Sequence, residues 1–295
     1  MAIPDRLKNQ EGRHALVDGI PFKLPVSAEG SPVLMAAFRI NAERAKELLP
    51  GSELFPLLLL DKALLVVTVV DYRHTVIGKY VEYSIAIACT RGEKPAPPIL
   101  PALLMQHFGT GQFIVDLPVS TEISVKGGKG IWGMPKHQAN LDFIITDNVV
   151  SSKYDLDGKF CMKIEIDRPH LPALPVSMGA VNYSAFRGML VKSSIYFSGR
   201  AGFNLFKKGS ARLYIGDHPR VQPLKSLEID PDPVLTAFFP ESGGALDDHF
   251  EAWFLTYDTP PAAPMEGMES VINLGQSQEW LKPPSAPVTE DDLVK

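Results

Sequence analysis

Cysteine is scarce in this chain, since Cys89 and Cys161 are the only two among 295 residues. Two cysteines are too few for a disulfide framework, and they form no CxxC pair for zinc. This usage fits a reducing compartment, and we expect a cytoplasmic protein. The seven histidines form no HExxH or comparable ligand pair. We therefore expect neither a metal nor another cofactor.

An excess of basic residues and a long apolar run are also lacking. The formal net charge is -5 and the pI is near 5.8, which argues against a nucleic-acid partner. The most apolar stretch, residues 57–70, is interrupted by Asp61 and Lys62 and is too short to cross a bilayer. Residues 1–16 are polar and contain no apolar segment of signal-peptide length. These features predict a small-molecule partner and no membrane association.

Alternation of apolar and polar residues, which is typical of strands, is the dominant pattern in the chain. The clearest hairpin has Asp157-Gly158 at its turn, a preferred pair for a type I′ turn. Further strands are predicted at residues 33–39, 64–70, 81–89, 121–125, 141–145, 193–197, 211–215 and 251–257. The pattern favours an α+β protein that is mainly β, with one domain over residues 1–275 and a C-terminal tail over residues 276–295.

Helix patterns are few and short. Asn41 can cap a helix over residues 42–49, which Pro50 and Gly51 end. Residues 102–108 and 184–190 could each form two turns. The helices are therefore expected to flank a sheet or barrel.

A glycine-rich segment contains Gly128, Gly130 and Gly133, which satisfy GxGxxG. A dinucleotide site needs a helix after these glycines, because the helix N-terminus holds the pyrophosphate. Here Pro135 and the strand pattern at residues 141–145 follow instead. The segment does not predict a nucleotide site.

Residues 128–137, GKGIWGMPKH, resemble the signature of the acetoacetate decarboxylase family, in which the lysine is the catalytic amine. This resemblance implies that Lys136 is that amine. Residues 77–82, IGKYVE, are similar to the family's Gly-x-Tyr-x-Glu strand, which implies that Glu82 is an active-site acid. Residues 211–224 resemble the family's Arg-Leu, Asp-His and Pro-Leu stretch. The resemblance spans residues 30–257 and implies a closed antiparallel β-barrel with flanking strands, a few short helices and a homo-oligomer.

The chemistry that the resemblance implies depends on a neutral amine. A lysine with a pKa near 10.4 is protonated at neutral pH, and burial in an apolar cavity can lower that pKa by ~3 to 5 units. A neutral Lys136 would attack a ketone or keto acid, and the resulting iminium would accept electrons while a neighbouring C–C bond breaks. The expected reaction is decarboxylation of a β-keto acid, with Glu82 in proton transfer or orientation.

The chain also departs from the family pattern. His137 stands where the decarboxylases usually carry a second lysine, and it could bind substrate or transfer a proton beside the amine. The family's carboxylate-binding arginine should fall near Ser31, where there is none, and Arg73 is the nearest replacement. Trp132 and Met134 are expected to form apolar walls around the substrate.

Two alternatives remain open at this stage. One is a Schiff-base aldolase or dehydratase acting on pyruvate-like compounds, because the missing arginine weakens the case for decarboxylation. The other is a non-catalytic protein that keeps the barrel and binds a small molecule, since a fold does not determine a function.

Overall fold

The computed structural model describes residues 3–17, 19–169 and 173–259. The predicted tail, residues 276–295, and the end of the predicted domain, residues 260–275, lie outside the described residues. The described part of the chain forms the strands β1 His14–Val17, β2 Ile20–Lys23, β3 Val26–Ile40, β4 Leu54–Pro56, β5 Ala63–Tyr72, β6 His74–Thr75, β7 Tyr80–Arg91, β8 Gly111–Val119, β9 Lys136–Gln138, β10 Asn140–Leu141, β11 Ile144–Ile145, β12 Val149–Leu156, β13 Lys159–Asp167, β14 Leu174–Phe186, β15 Met189–Leu205, β16 Ala211–Ile215, β17 Pro233–Leu246 and β18 Glu251–Phe254.

The helices are short, as expected. They are α1 Asp5–Lys8, α2 Ala42–Glu47, α3 Leu100–Leu103, α4 Glu122–Trp132 and α5 Gln222–Lys225, with a 3₁₀ turn at Pro219–Val221. No helix in the described ranges is long and apolar enough to cross a membrane.

Seven strands of the large sheet close into a barrel. The circuit runs β3, β5, β7, β8, β14, β15 and β17, and it closes because β17 pairs with β3 and β7 pairs with both β5 and β8. All neighbours in it are antiparallel except β14 and β8, which run parallel over a short register. The predicted closed β-barrel is confirmed.

The barrel strands have two differently used faces. On β5, Leu65, Val67 and Val69 are fully buried in the main hydrophobic core. The alternating residues Thr68 and Val70 instead line a cavity inside the barrel. The outer face of the barrel packs against a second sheet, formed by β10 to β13 and β16, whose residues share the same core. The outward-facing side chains of the barrel therefore pack in the hydrophobic core, and the inward-facing side chains surround a cavity.

Two local predictions are confirmed in detail. Asp157 and Gly158 have φ angles of 51° and 73°, the positive values that a type I′ turn requires, and they join β12 to β13. Asn41 caps α2, because its side chain accepts hydrogen bonds from the backbone N–H groups of Glu43 and Arg44.

Three local predictions are wrong. Residues 121–125 are not a strand, because Thr121 precedes α4 and the chain turns helical at Glu122. Residues 184–190 are not a helix but the tip of the β14–β15 hairpin, whose turn uses Arg187 and Gly188 at positive φ. The helix predicted at residues 102–108 ends early, since α3 covers only Leu100–Leu103. For residues 184–190, pairing within the barrel outweighed local helix propensity.

Candidate active site

The chain delivers Lys136 into the barrel through the end of α4. The helix ends at Gly133, whose φ of 60° is the left-handed conformation favoured by glycine at this position. The backbone N–H groups of Gly133 and Met134 bond back to the carbonyls of Lys129 and Gly128. Strand β9 then begins and pairs parallel with β8, with Lys136 opposite Leu117. The chain therefore turns after α4, and Lys136 is the first residue of a strand that pairs with the barrel strand β8.

The amine of Lys136 meets a carboxylate inside the protein. Its Nζ lies 2.6 Å from Oε2 of Glu82 and donates a hydrogen bond of 3.2 Å to Oγ of Ser124. The ring of Tyr80 lies 5.5 Å from the same nitrogen. The side chains of Lys136 and Glu82 are only 8% and 14% exposed, so bulk water screens the pair weakly. The two residues that the sequence singled out are therefore in direct contact.

Gly128 makes room for the lysine side chain. A methyl group on its Cα would lie 2.6 Å from Cε of Lys136 and closer still to Cδ. Contacts that close do not occur between real carbon atoms, so any larger residue would displace the lysine stem. Gly128 therefore has a packing role, and its place in a GxGxxG pattern is incidental.

The pKa of Lys136 is raised, which corrects the expectation that burial leaves a neutral amine. Burial has the largest effect and lowers the pKa, but the charge and hydrogen bond of Glu82 raise it, as does Tyr80, and together they outweigh burial. Burial raises the pKa of Tyr80 itself to about 12, so near neutral pH Glu82 is the charge that matters. The contact with Glu82 therefore favours the protonated form of the amine.

A large cavity extends from this ion pair through the barrel, with an empty volume of about 1200 Å³ including its opening to solvent. Lys136 and Glu82 are the only charged residues among the described residues that line it. Its other walls are mostly apolar or carry hydroxyl and amide groups, and they include Ser31, Thr68, Ser84, Gln112, Ile114, Leu117, Trp132, Met134, Asn182, Ser193, Ile195, Phe197, Phe239 and Ser242. The cavity therefore has room for a ligand beside Lys136.

The other predicted site residues divide into two groups. Trp132 and Met134 line the cavity, and the indole N–H of Trp132 donates to the backbone carbonyl of Asp247 at 2.6 Å. Arg73 does not line it, since its side chain is 43% exposed and pairs with Asp71. His137 also lies outside it, on the opposite face of β9 from Lys136. The structure thus places neither Arg73 nor His137 against the cavity.

His137 belongs to a buried polar cluster on the outer side of the barrel. Its Nε2 lies 3.0 Å from a carboxylate oxygen of Asp116, which is 3% exposed. Asp116 also accepts hydrogen bonds from the hydroxyl of Tyr154 and the guanidinium of Arg220, both at 3.2 Å. Burial and the charge of Asp116 raise the pKa of Tyr154 far above its usual value. The cluster ties β8 and β9 to the second sheet and so supports the strand that carries Lys136.

The sequence did not single out several residues that line the site. Ser124 contacts the amine because it belongs to α4, which passes beside Lys136, and the sequence did not predict a helix there. Asn182 and Ser193 come from β14 and β15, of which only residues 193–197 were predicted as strand. Tyr80 had a signal, because it lies in the same IGKYVE segment as Glu82. Among the described residues, no group of three or more His, Cys, Asp or Glu side chains could hold a metal ion.

Comparisons with known proteins agree with the fold. A family profile described as acetoacetate decarboxylase matches residues 9–183. The comparison with curated protein sequences gave no match.

Several solved structures share the fold. One from a study of acetoacetate decarboxylase has 15% sequence identity, covers 86% of this chain and 98% of its own, and gives a TM-score of 0.57. The acetoacetate decarboxylase of Legionella pneumophila has 13% identity, covers 75% and 84%, and gives 0.54. The enduracididine biosynthesis enzyme MppR complexed with pyruvate has 13% identity, covers 77% and 90%, and gives 0.55. At these identities the likeness concerns the fold.

Proposed function

Since the chain belongs to the acetoacetate decarboxylase family, we propose that it is a carbon–carbon lyase in which Lys136 forms a Schiff base with a carbonyl compound. The observation that carries this proposal is the contact between Lys136 and Glu82 at the edge of a large cavity. A primary amine beside a proton acceptor in an apolar space is what imine formation needs. The pyruvate in one structural neighbour also supports a small carbonyl ligand.

The first step is removal of a proton from the amine. At 2.6 Å, Glu82 can accept the proton of Lys136 directly, which turns two buried charges into two neutral groups. The neutral amine then attacks the carbonyl carbon to give a carbinolamine. Glu82 returns its proton to the departing hydroxyl, water leaves, and an iminium forms beside the Glu82 carboxylate. Glu82 thus acts first as a base and then as an acid.

The iminium then accepts the electrons of an adjacent C–C bond. In a β-keto acid the bond to the carboxylate breaks, CO₂ leaves and an enamine remains on Lys136. Protonation of the enamine carbon and hydrolysis of the imine release the ketone and restore the amine. Trp132 and Met134 limit water near the iminium, because they form apolar walls of the cavity.

A second reaction, retro-aldol cleavage or the reverse condensation, is favoured by one observation. Among the described residues that line the cavity, Lys136 is the only cation, and Ser31 stands where an arginine was expected. A β-keto acid would bring a carboxylate with no cation of its own to meet it. In retro-aldol cleavage a β-hydroxyl gives its proton to the Glu82 carboxylate, the electrons of the Cα–Cβ bond move to the iminium to form an enamine, and an aldehyde leaves instead of CO₂.

The experiment is reduction with sodium borohydride in the presence of a panel of ketones and keto acids, followed by intact-mass measurement. We expect a single covalent adduct in the wild-type protein and none in Lys136→Met. The matched control is Lys126→Met, which removes a surface lysine of α4 that is 57% exposed. A persistent lack of adduct across the panel would favour the non-catalytic binding protein, whereas release of CO₂ or of an aldehyde separates the two reactions.

A further inference from the structure

The charge of the cavity limits the substrates that it can bind. The Lys136 and Glu82 pair has a net charge of zero, and this total does not change when a neutral ketone forms an iminium and releases water. A substrate carboxylate would make the total -1 in a space lined mainly by apolar and uncharged side chains. An unpaired charge in such surroundings is unfavourable because few dipoles replace its water. The site therefore selects against anionic substrates.

The cavity also contains uncharged polar groups away from the lysine. Asn182 pairs in register with Gln112 on β8 and with Ser193 on β15, so these residues form a row across three strands. Nε2 of Gln112 donates to Oδ1 of Asn182 at 2.8 Å. Asn182 and Ser193 are 5% and 3% exposed, and Oγ of Ser193 has no hydrogen-bond partner among the described residues. A buried hydroxyl without a partner in a cavity wall is a site for a ligand hydrogen bond.

The register of β8 gives the spacing between the two sites. Lys136 is opposite Leu117, and Gln112 lies five residues before Leu117 on the same strand. At ~3.3 Å per residue, the polar row is roughly 16 Å along the strand from the level of the lysine. Ile114 lines the wall between them, and Phe197 and Phe239 line other parts of the cavity. Along β8, the cavity therefore has the amine of Lys136 near one end and the uncharged polar row near the other, with apolar walls between them.

We propose that the cavity binds an uncharged, elongated carbonyl compound whose far end carries a hydroxyl group, and that a second hydroxyl β to the carbonyl makes it a substrate for the retro-aldol reaction rather than for decarboxylation. The carbonyl reaches Lys136, the apolar chain lies along the barrel interior, and the far hydroxyl pairs with Asn182 and Ser193. This inference rests on the proposed function, since it takes Lys136 as the amine that binds the carbonyl.

The test compares three methyl ketones of equal chain length at pH 7. They are 12-hydroxydodecan-2-one, dodecan-2-one and 11-oxododecanoic acid, which end in a hydroxyl, a methyl and a carboxylate. The concentration of each that gives half-maximal borohydride adduct is measured. We expect the hydroxy ketone to need a concentration at least tenfold lower than the oxo acid. Equal or better labelling by the oxo acid would overturn the proposal.

The polar row is tested with Ser193→Ala. This variant should raise the half-maximal concentration of the hydroxy ketone about fivefold, the expected effect of one uncharged hydrogen bond, and should leave dodecan-2-one unchanged. Ser210→Ala is the control, because Ser210 is fully buried but does not line the cavity. An equal effect of Ser193→Ala on both ketones would contradict recognition of the hydroxyl.

Binding of the same ketones to the double variant Lys136→Met/Glu82→Gln, measured by thermal shift, separates this inference from the proposed function, because this variant lacks the amine and keeps the net charge of the pair at zero. If the hydroxy ketone stabilises this variant more than the oxo acid does, but the wild-type protein gives no adduct, then the Schiff base is wrong and the ligand class stands. If the oxo acid stabilises it equally or more, the ligand class is wrong whether or not adducts form.

Discussion

The Nζ of Lys136 and the Oε2 of Glu82 lie 2.6 Å apart at the wall of a large cavity in the barrel. The two residues are 54 positions apart in the sequence and reach each other because β7 and β9 both pair with β8. The Glu82 carboxylate stabilises the protonated amine, and the same carboxylate can accept the proton when the amine reacts. The reactivity of Lys136 therefore depends on Glu82 as much as on burial.

Replacing Glu82 by Gln should lower the pKa of Lys136. The carboxylate raises that pKa, and without it the opposing effect of burial remains. We expect the midpoint for acylation of Lys136 by an activated phenyl ester to move to lower pH. The measurement is the rate of acylation against pH, followed by mass spectrometry. Glu122→Gln, which changes a surface carboxylate that is 69% exposed, should leave the midpoint in place.

Removing one member of the ion pair should destabilise the fold more than removing both. Lys136→Met leaves Glu82 buried without its partner, which we expect to lower the free energy of unfolding by ~3 kcal/mol. The double variant Lys136→Met/Glu82→Gln should recover most of that loss. Urea unfolding at pH 7 gives the comparison, and equal stability of the single and double variants would exclude a strong interaction.

The same pair gives the stability of the protein a dependence on alkaline pH. The pKa of Lys136 is raised in the fold, so the contribution is fully present below the unfolded value of 10.5 and is lost as pH rises through the folded value. We expect the free energy of unfolding of the wild-type protein to fall above about pH 10.5 more steeply than that of the double variant. Parallel curves in this range would contradict the raised pKa.

The sequence predicted those parts of the protein that depend on local chemistry. Asp157-Gly158 and the cap at Asn41 need only their own neighbours, and both formed as expected. Lys136 and Glu82 carried a family pattern, and the structure brings them together. The pKa of Lys136 could not be predicted, because it depends on a distance across the barrel. The row formed by Asn182 and Ser193 could not be predicted either, because it depends on the register between β14 and β15.

Replacing Gly128 by Ala should displace the lysine. The new methyl group would overlap Cδ and Cε of Lys136, so the side chain must leave its position beside Glu82. We expect adduct formation to fall at least tenfold while the protein stays folded. Gly130→Ala is the control on the same helix, and because Gly130 is exposed it should gain up to ~1 kcal/mol of stability and keep full labelling.

A cation placed in the cavity should allow the cavity to bind a ligand that carries a carboxylate. Ser31 is 1% exposed and lines the cavity, so Ser31→Arg should offer a partner to a substrate carboxylate. We expect labelling by 11-oxododecanoic acid to need a concentration about tenfold lower than in the wild-type protein, with some loss of stability from overpacking. Ser31→Gln adds bulk without charge and should give no such gain.

Replacing His137 by Gln tests whether this residue takes part in the chemistry. Its ring pairs with Asp116 on the outer side of the barrel and does not line the cavity. We expect adduct formation within about twofold of wild type and a loss of ~1 to 2 kcal/mol in stability, because a buried hydrogen bond is weakened. A tenfold loss of labelling in a stable variant would return His137 to the catalytic set.

Lys136, and no other lysine, should form the covalent bond with the carbonyl. Peptide mapping of the wild-type protein after borohydride reduction with a saturating ketone identifies the modified residue. The predicted result is a single modified peptide whose fragmentation places the added mass on Lys136. Modification spread over surface lysines such as Lys126, or none at all at Lys136, would contradict it.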